Sequence, residues 1–506
     1  MPATLHSLSP EIIDLIVLQL FVLDVNDPLG PYATISRPFQ VAVERFTFTR
    51  VYVSGDHQKR LRAISAHPWR KTALRTLIYA VTLPPYPSFR RYLKERRREH
   101  RANLVAFHKG LTTLWKELAT WNDKTHLVDL QVGAESPTDE YDDDGWHEGC
   151  EDYRWLYPDH SLVIDSEKVA LPTLDCVNSF LVGGGRRIHP TAFKEMFLTM
   201  PNLRELNLTL PPVHARYKAS RAEYRADLGK ALEAPTLQKL EVLCLSVRDS
   251  APENHDFNIA LAEDPSYPGG DVLSHAIRKL AQRSLRILHM DGPCIVSPAL
   301  WSSGREDDDA EFPYLTEMAV DMTIVTYDGR WYYTGDPAAV TAQELDSEDE
   351  LLIGVEDESE SEKSDDSRYD EEIDEERAAF FNGNIPYHPW RRNPDPNTFD
   401  PLVRSLAEAA LRMPRLQYLN VSTKGSRGYK RYRDVDIDLC SPGCFPPVMK
   451  ELQDTAHSVK DWRWIIGLGL EVSWTPPIDV QQTMKKRVGE DGRVLIHRDT
   501  KVVHQI

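Results

Sequence analysis

The order of apolar and polar residues predicts a strongly apolar helix near the start of the chain. Ser9 suits the N-cap, Pro10 the first helical position, and Glu11 the first turn, where the helix dipole favours an anion. Beyond Glu11, polar residues are rare up to Leu23. A helix that is apolar on nearly every side must be covered on nearly every side. We therefore expect one face to pack on its own domain and a second face to need another cover, such as another protein.

The segments that follow predict a small helical unit over residues 1–55. Helices fit residues 32–36 and 39–46, and Phe39 and Val43 share one helical face. After this unit the chain is polar and again has helical patterns, so residues 56–125 are expected to form a helical linker region. The helices predicted there span residues 73–79, 88–101 and 104–121.

From about residue 126, strand patterns alternate with helical ones and the phrase Leu-x-x-Leu-x-Leu recurs with apolar substitutions. The copies begin at Leu171, Leu203, Leu240, Leu285, Leu315 and Leu416. Helical segments precede several of them, at residues 191–200, 224–232, 272–281 and 402–413. A helix followed by a strand, repeated about every 30–45 residues, is typical of an irregular leucine-rich-repeat solenoid. In such an array the parallel strands form one wall and the helices form the other.

A strongly acidic segment interrupts the last repeats. Residues 344–376 contain 18 Asp and Glu residues against Lys363 and Arg368, which is −16 of the formal net charge of −18 and leaves −2 for the rest. Such a low-complexity run buries too little apolar surface to fold, so we expect a disordered insertion. A solvated spacer is the plain interpretation, and acid-directed phosphorylation at Ser347 or Ser359 is the alternative.

These patterns predict an α/β protein in which an N-terminal helical unit precedes an irregular leucine-rich-repeat solenoid with a parallel sheet. The predicted divisions are the helical unit 1–55, the helical linker 56–125, irregular repeats 126–335, the acidic insertion 336–398, a last repeat 399–424 and a β-rich closing segment 425–506. The closing segment is expected to cover an exposed strand edge. An aromatic ligand surface built on its tryptophans is the alternative.

Several classes of protein are disfavoured by the sequence. No apolar run reaches the roughly 18–20 residues of a membrane span, and the first ten residues contain no Lys or Arg, so neither a membrane protein nor a signal peptide is expected. The six cysteines are scattered, which favours reduced thiols in the cytoplasm or nucleus. The basic run at 90–101 is interleaved with glutamates and is expected to be a solvated helix face rather than a nucleic-acid site.

Catalytic, cofactor and metal motifs are also missing. Gly183–Gly185 lacks the Lys-Ser/Thr of a phosphate loop and is expected to be a turn. Cys440 and Cys444 with His457 do not provide four zinc ligands at the usual spacing. We therefore expect no catalytic residues, no cofactor and no metal, although an enzyme assembled from distant residues is an open alternative.

The first fifty residues resemble an F-box. The opening Leu8-Ser9-Pro10-Glu11-Ile12-Ile13 and the segment 32–48 are similar to the two halves of the motif in fungal F-box-like proteins. The resemblance implies a three-helix unit that docks on the Skp-family adaptor of an SCF-type ubiquitin ligase. The adaptor-binding residues it implies are Leu8, Pro10, Ile12, Ile13, Ile16 and Leu20.

The sequence thus predicts a non-enzymatic substrate-recognition subunit. Its F-box-like unit would bind the Skp-family adaptor and its repeats would bind an unidentified protein target, with neither nucleic acid nor membrane as a partner. The alternative is a leucine-rich-repeat interaction scaffold that is not linked to ubiquitination, in which the N-terminal unit only caps the array.

Overall fold

A computed structural model gives the fold of most of the chain. It describes residues 8–23, 29–54, 58–87, 95–121, 127–139, 160–165, 170–213, 215, 217–247, 249–259, 270–302, 310–340, 379–424, 433–444 and 460–498. The acidic run 344–376 and the first part of the helix predicted at 88–101 lie outside these residues.

Twelve strands form one sheet in which the spatial order follows the chain order. The strands are β1 Arg50–Ser54, β2 Thr76–Thr82, β3 Val128–Glu135, β4 Val177–Gly185, β5 Glu205–Leu210, β6 Val242–Val247, β7 Ile287–Cys294, β8 Glu317–Thr323, β11 Tyr418–Lys424, β12 Val435–Cys440, β13 Arg463–Leu468 and β14 Arg493–Arg498. Neighbours are parallel except that β12 runs antiparallel to both β11 and β13. Two short strands, β9 Tyr333–Thr334 and β10 Asn393–Pro394, form a separate antiparallel pair.

Helices precede or connect most of these strands. They are α1 Pro10–Leu23, α2 Arg37–Thr47, α3 Gln58–Ser65, α4 Pro68–Ala73, α5 Arg97–Leu118, α6 Pro190–Phe197, α7 Lys218–Leu232, α8 Val272–Arg283, α9 Phe399–Leu411 and α10 Ile478–Val488. Helices α6, α7 and α8 contact one another in chain order, as do α9 and α10. None of the helices in the described ranges combines the length and the apolar character that a membrane crossing requires.

The helices and one face of the sheet enclose a continuous hydrophobic core. Alternation within each strand produces this arrangement, because successive side chains point to opposite faces. In β5, for example, Leu206 and Leu208 are buried in the core, whereas Glu205 and Asn207 lie on the opposite face. The core extends from Val51 near β1 to Val488 at the end of α10. The mixed α/β class and the largely parallel sheet are therefore confirmed.

Helices α1 and α2 form a small unit with a second, separate core. Its buried members are Ile13, Val17, Leu29, Phe39, Ala42 and Val43. A short 3-10 helix at Gly30–Thr34 lies between the two helices, where the sequence predicts a helix at 32–36. Ser36 caps α2 by accepting a hydrogen bond from the Phe39 backbone N–H. The predicted helix at 39–46 is thus confirmed with slightly wider bounds.

Two segments differ from the sequence-based expectation. The helix predicted at 73–79 is wrong, because β2 occupies Thr76–Thr82 and pairs with β1 and β3. Residues 77–81 of this strand are all apolar, and a short apolar run cannot be assigned to helix or strand from its period alone. The turn predicted at Gly183–Gly185 is also wrong, since these glycines end β4. Residues 56–125 therefore contribute a strand of the main sheet as well as helices.

The ends of the predicted insertion are ordered. Residues 336–340 and 379–398 are described, and β10 within the second segment pairs with β9. The closing segment, predicted to be β-rich, also contains a helix, because α10 lies between β13 and β14. Strands β12 to β14 continue the main sheet to its last edge.

Candidate partner-binding surface

The start of α1 is fixed by its first turn. The carbonyl of Ser9 accepts hydrogen bonds from the backbone N–H groups of Ile12 and Ile13, both at 3.1 Å. A hydrogen bond with the Ser9 side chain lowers the pKa of the exposed Glu11 carboxyl. The predicted start of this helix directly after Ser9 is confirmed, and the helix continues to Leu23.

One side of α1 packs into the small core that it shares with α2. Ile13 is only 1% exposed, and Val17 lies beside it against Phe39 and Val43. This inner side also includes partly buried residues of α1 and the segment before it, namely Leu8, Ile16 and Leu20. The core of the unit is small, so it covers only this side of the helix.

The other side of α1 is apolar and exposed. We call this the outer face and define it as Ile12, Leu15, Leu18, Phe21 and Val22, whose exposed fractions lie between 41% and 61%. Ile12, Leu15, Leu18 and Phe21 follow one another three residues apart, and Val22 lies four residues after Leu18, so each side chain lies beside the next along the helix. Exposed apolar side chains are common singly, but a contiguous patch of them marks an interaction site.

The six residues implied by the F-box resemblance do not all lie on this exposed side. Pro10 and Ile12 are exposed, Ile13 is in the small core, and the other three are partly buried against it. The sequence interpretation did not single out Leu15, Leu18, Phe21 and Val22. The sequence does contain a signal for these residues. The apolar stripe of α2, with Phe39 and Val43, can cover only one side of α1, whereas α1 is apolar on two sides.

Glu44 joins the α1–α2 unit to the first part of the sheet. Its carboxylate accepts two hydrogen bonds from the Arg70 guanidinium, at 2.6 and 2.8 Å, and one from the Trp69 indole N–H at 2.7 Å. Arg37 of α2 also lies over the Trp69 ring, 4.5 Å from its centroid. Arg70 lowers the pKa of the Glu44 carboxyl to about 2. The carboxylate is thus charged and bidentately held between α2 and α4 at neutral pH.

The face of the sheet opposite the helices forms a second candidate surface. Its side chains are largely polar, and several are paired across strands. His289 of β7 lies 2.9 Å from the carboxylate of Glu317 on β8. Asp438 of β12 accepts hydrogen bonds from the Asn420 amide at 2.9 Å and from the Tyr418 hydroxyl at 3.2 Å. Burial raises the pKa of the Asp438 carboxyl to about 7.

Three buried thiols are poor nucleophiles. Burial raises the pKa of Cys176 to about 11 and those of Cys294 and Cys440 to about 12. Because the thiolate is the reactive form, these cysteines are unreactive near neutral pH. Within the described ranges, no group of three or more His, Cys, Asp or Glu side chains is placed to hold a metal ion.

No protein-family model matches the chain, and no curated protein matches it. The F-box-like and leucine-rich-repeat interpretations therefore stay predictions based on residue patterns. The surfaces themselves, an exposed apolar helix face and a polar sheet face, are the two features of the described structure that suit partner binding.

Proposed function

We propose that the protein is the substrate-recognition subunit of an SCF-type ubiquitin ligase. In this proposal the α1–α2 unit is F-box-like and binds the Skp-family adaptor through α1, and the strand–helix array binds a protein target. The observation that carries the proposal is the outer face of α1, since five exposed apolar side chains follow one helix in a unit that has its own core. A helix with such a face is suited to a hydrophobic groove of a partner.

The order of the strands and the contacts between the helices support the second half of the proposal. Each strand from β4 to β8 pairs with its predecessor in parallel, and α6, α7 and α8 contact their neighbours in the chain. This is the nearest-neighbour stacking expected of an irregular leucine-rich-repeat solenoid. The acidic run 344–376 has no part in the proposal.

The proposal is tested by capture of a purified Skp-family adaptor with the full chain. We replace Leu15→Asp and Val22→Asp on the outer face, where the exposed fractions are 59% and 61%. Each buried aliphatic side chain contributes roughly 1.5–3 kcal/mol, so the double variant is expected to lose at least about tenfold in adaptor affinity. Ile13 is unsuitable for this test, because an Asp there would disrupt the small core.

A matched control places two aspartates on exposed apolar positions of other helices. Val105→Asp on α5 and Ile478→Asp on α10 change residues that are 68% and 70% exposed. This control is expected to capture the adaptor as the wild type does. Capture by neither protein, or equal capture by the outer-face variant and the wild type, would contradict the proposal.

A scaffold without a link to ubiquitination is the second candidate function. The contact that favours it is the Glu44–Arg70 pair, which fixes the α1–α2 unit against α4 near the first edge of the sheet. A unit placed there could cap the array without binding an adaptor. Adaptor capture separates the two functions, since only the first predicts it.

A further inference from the structure

One side of α5 is basic and exposed. Arg98, Arg101, Lys109 and Lys116 lie along it, with Val105 in the middle at 68% exposure. Successive members of this set are three, four or seven residues apart, which places them on one side of a helix. We call this side, defined by these five residues, the basic helix face.

The four cations of this face have no carboxylate partner among the described residues. The two glutamates of α5 are engaged elsewhere. Glu99 accepts a hydrogen bond from the Arg96 backbone N–H at 3.0 Å, and Glu117 lies 4.0 Å from the Arg62 guanidinium. Like charges on neighbouring turns of a helix repel one another, so an anionic cover would stabilise the basic helix face.

A strongly acidic segment of the same chain follows β3. Residues 140–159 lie outside the described residues, and their sequence contains eight Asp and Glu residues against Arg154. This is a net charge of −7 within twenty residues. The segment therefore has the charge that complements the basic helix face.

Both ends of this acidic segment are held beside the start of α5. Asp139, the residue before it, accepts hydrogen bonds from the Arg186 guanidinium at 3.0 and 3.1 Å. The same guanidinium donates to Glu95 at 2.9 Å. His160, the residue after the segment, packs on the ring of His100, whose Nδ1 lies 3.3 Å from Glu95. The two ends thus meet at Glu95, two residues before α5 begins.

The segment is long enough to cover the face and to return. At about 1.5 Å per residue, the face from Arg98 to Lys116 is about 27 Å long. Two extended arms of about ten residues each reach about 33 Å. The chain that follows the segment already runs along α5, since Nε2 of His108 lies 2.8 Å from the Val163 carbonyl.

The other acidic run of the chain, 344–376, is attached elsewhere. Nε2 of His388 lies 3.0 Å from the Val340 carbonyl, and its Nδ1 lies 2.9 Å from the Asp256 carboxylate. The described residues that flank this run are therefore beside the loop between β6 and α8. Only the flanks of 140–159, among these two acidic segments, contact the start of α5.

We propose that the segment 140–159 docks on the basic helix face, with its carboxylates beside Arg98, Arg101, Lys109 and Lys116. The occupant of this face is thus a part of the same chain. Docking neutralises the face and excludes other polyanions, such as nucleic acid, from it. The inference is independent of the proposed function, since it involves neither α1 nor the target.

The test is zero-length cross-linking of the full chain with a carbodiimide, which joins a lysine amine to a carboxylate in contact with it. Mass spectrometry measures the cross-links of Lys109 and Lys116 to residues 140–159. The exposed lysines Lys194 and Lys486, on α6 and α10, give the background yield. We expect the two α5 lysines to exceed this background at least about threefold, and added salt to lower their yield.

A face variant distinguishes docking from the mere proximity of a tethered segment. Arg98→Gln/Arg101→Gln removes two cations of the face and keeps both lysines. The matched control, Arg283→Gln/Arg415→Gln, removes two exposed arginines from α8 and from the turn before β11. We expect the face variant to lower the cross-link yield of the α5 lysines at least about threefold, and the control to leave it nearly unchanged.

Three results would overturn the proposal. Equal yields in the face variant and the wild type would show a tethered segment that is not docked. Cross-links of Lys109 and Lys116 mainly to 344–376 or, in a mixture of isotope-labelled and unlabelled chains, to a second copy would show another occupant. A fluorescent single-stranded oligonucleotide that binds the wild type but not the face variant would show that the face is open.

Discussion

Asp438 illustrates how a single side chain on the sheet is tuned by its surroundings. It is nearly fully buried, accepts hydrogen bonds from Asn420 and Tyr418, and has Asp436 two positions earlier on the same strand. Burial and the second carboxylate both raise its pKa, to about 7, against the ordinary value of 3.8. The charged form is therefore disfavoured in the folded protein relative to the unfolded chain.

The first prediction concerns the pH dependence of stability at this residue. A carboxyl whose pKa is raised on folding contributes stability below pH 4, and this contribution is lost as the pH rises through about 7. Asp438→Asn keeps the accepting oxygen and removes the charge. We expect the variant to gain on the order of 1–3 kcal/mol over the wild type at pH 8, and little at pH 4. Urea unfolding at the two pH values measures this, and an equal difference at both would contradict it.

At the scale of elements, the close approach of α7 and α8 depends on a glycine. A Cβ at Gly229 would lie 2.8 Å from a methyl carbon of Val272 and 2.9 Å from its backbone carbonyl. Val272 is the first residue of α8, so the two helices could not keep this distance with a larger side chain in between. Helix propensity alone favours alanine over glycine by about 1 kcal/mol, so it would stabilise the substituted protein, whereas the steric contact would destabilise it.

We predict that Gly229→Ala lowers the free energy of unfolding by about 1–3 kcal/mol, because overpacking against a backbone cannot be relieved by rotating a side chain. The control is Gly30→Ala, where nothing lies within 4 Å of the added Cβ. Chemical unfolding of both variants provides the measurement. A stabilised Gly229→Ala protein would show that propensity outweighs the helix contact.

The elements also show what the sequence can and cannot predict. The start of α1 at Pro10 and the strands that follow Leu203, Leu240 and Leu285 could be predicted, because a proline at a helix start and alternation along a strand are local signals. Strand β2 was assigned to a helix because residues 77–81 are all apolar, and such a run lacks the apolar–polar alternation that marks a strand. Strand β12 was not predicted, because it does not contain the Leu-x-x-Leu-x-Leu phrase. The alternation of Val435, Asp436 and Ile437 could have indicated a strand there.

The outer face of α1 was harder to predict than the helix itself. The sequence shows that α1 is apolar on two sides, but only packing against α2 determines which side is inner. The polar face of the sheet has the same limitation, because pairs such as His289–Glu317 and Asn420–Asp438 come from different strands and are brought together by strand register. Sites assembled from distant strands require the register, which is not a local property.

For the whole molecule, the two separate cores predict that the sheet folds without the N-terminal unit. A variant lacking residues 1–46 retains every residue of the large core, which begins with Val51, and loses the Glu44 contact to Arg70. We expect cooperative unfolding with a melting temperature lower by roughly 1–3 °C, corresponding to a loss of about 1–2 kcal/mol. Calorimetry and light scattering test this. Aggregation of the truncated chain would favour the capping role and thus the scaffold function.

The order of the twelve strands has a consequence for synthesis on the ribosome. Each strand from β2 to β8 pairs with one that was made before it, and no later strand inserts between two earlier ones. The nascent chain can thus extend its sheet at one growing edge as each strand–helix unit emerges, without waiting for the C-terminus. The loop at residues 254–255 is an exception, since its backbone bonds to residues near 383 and 388 that emerge more than a hundred residues later. The native contacts of this loop can therefore form only after residues 383–388 have emerged, later than the pairing of the strands on either side of it.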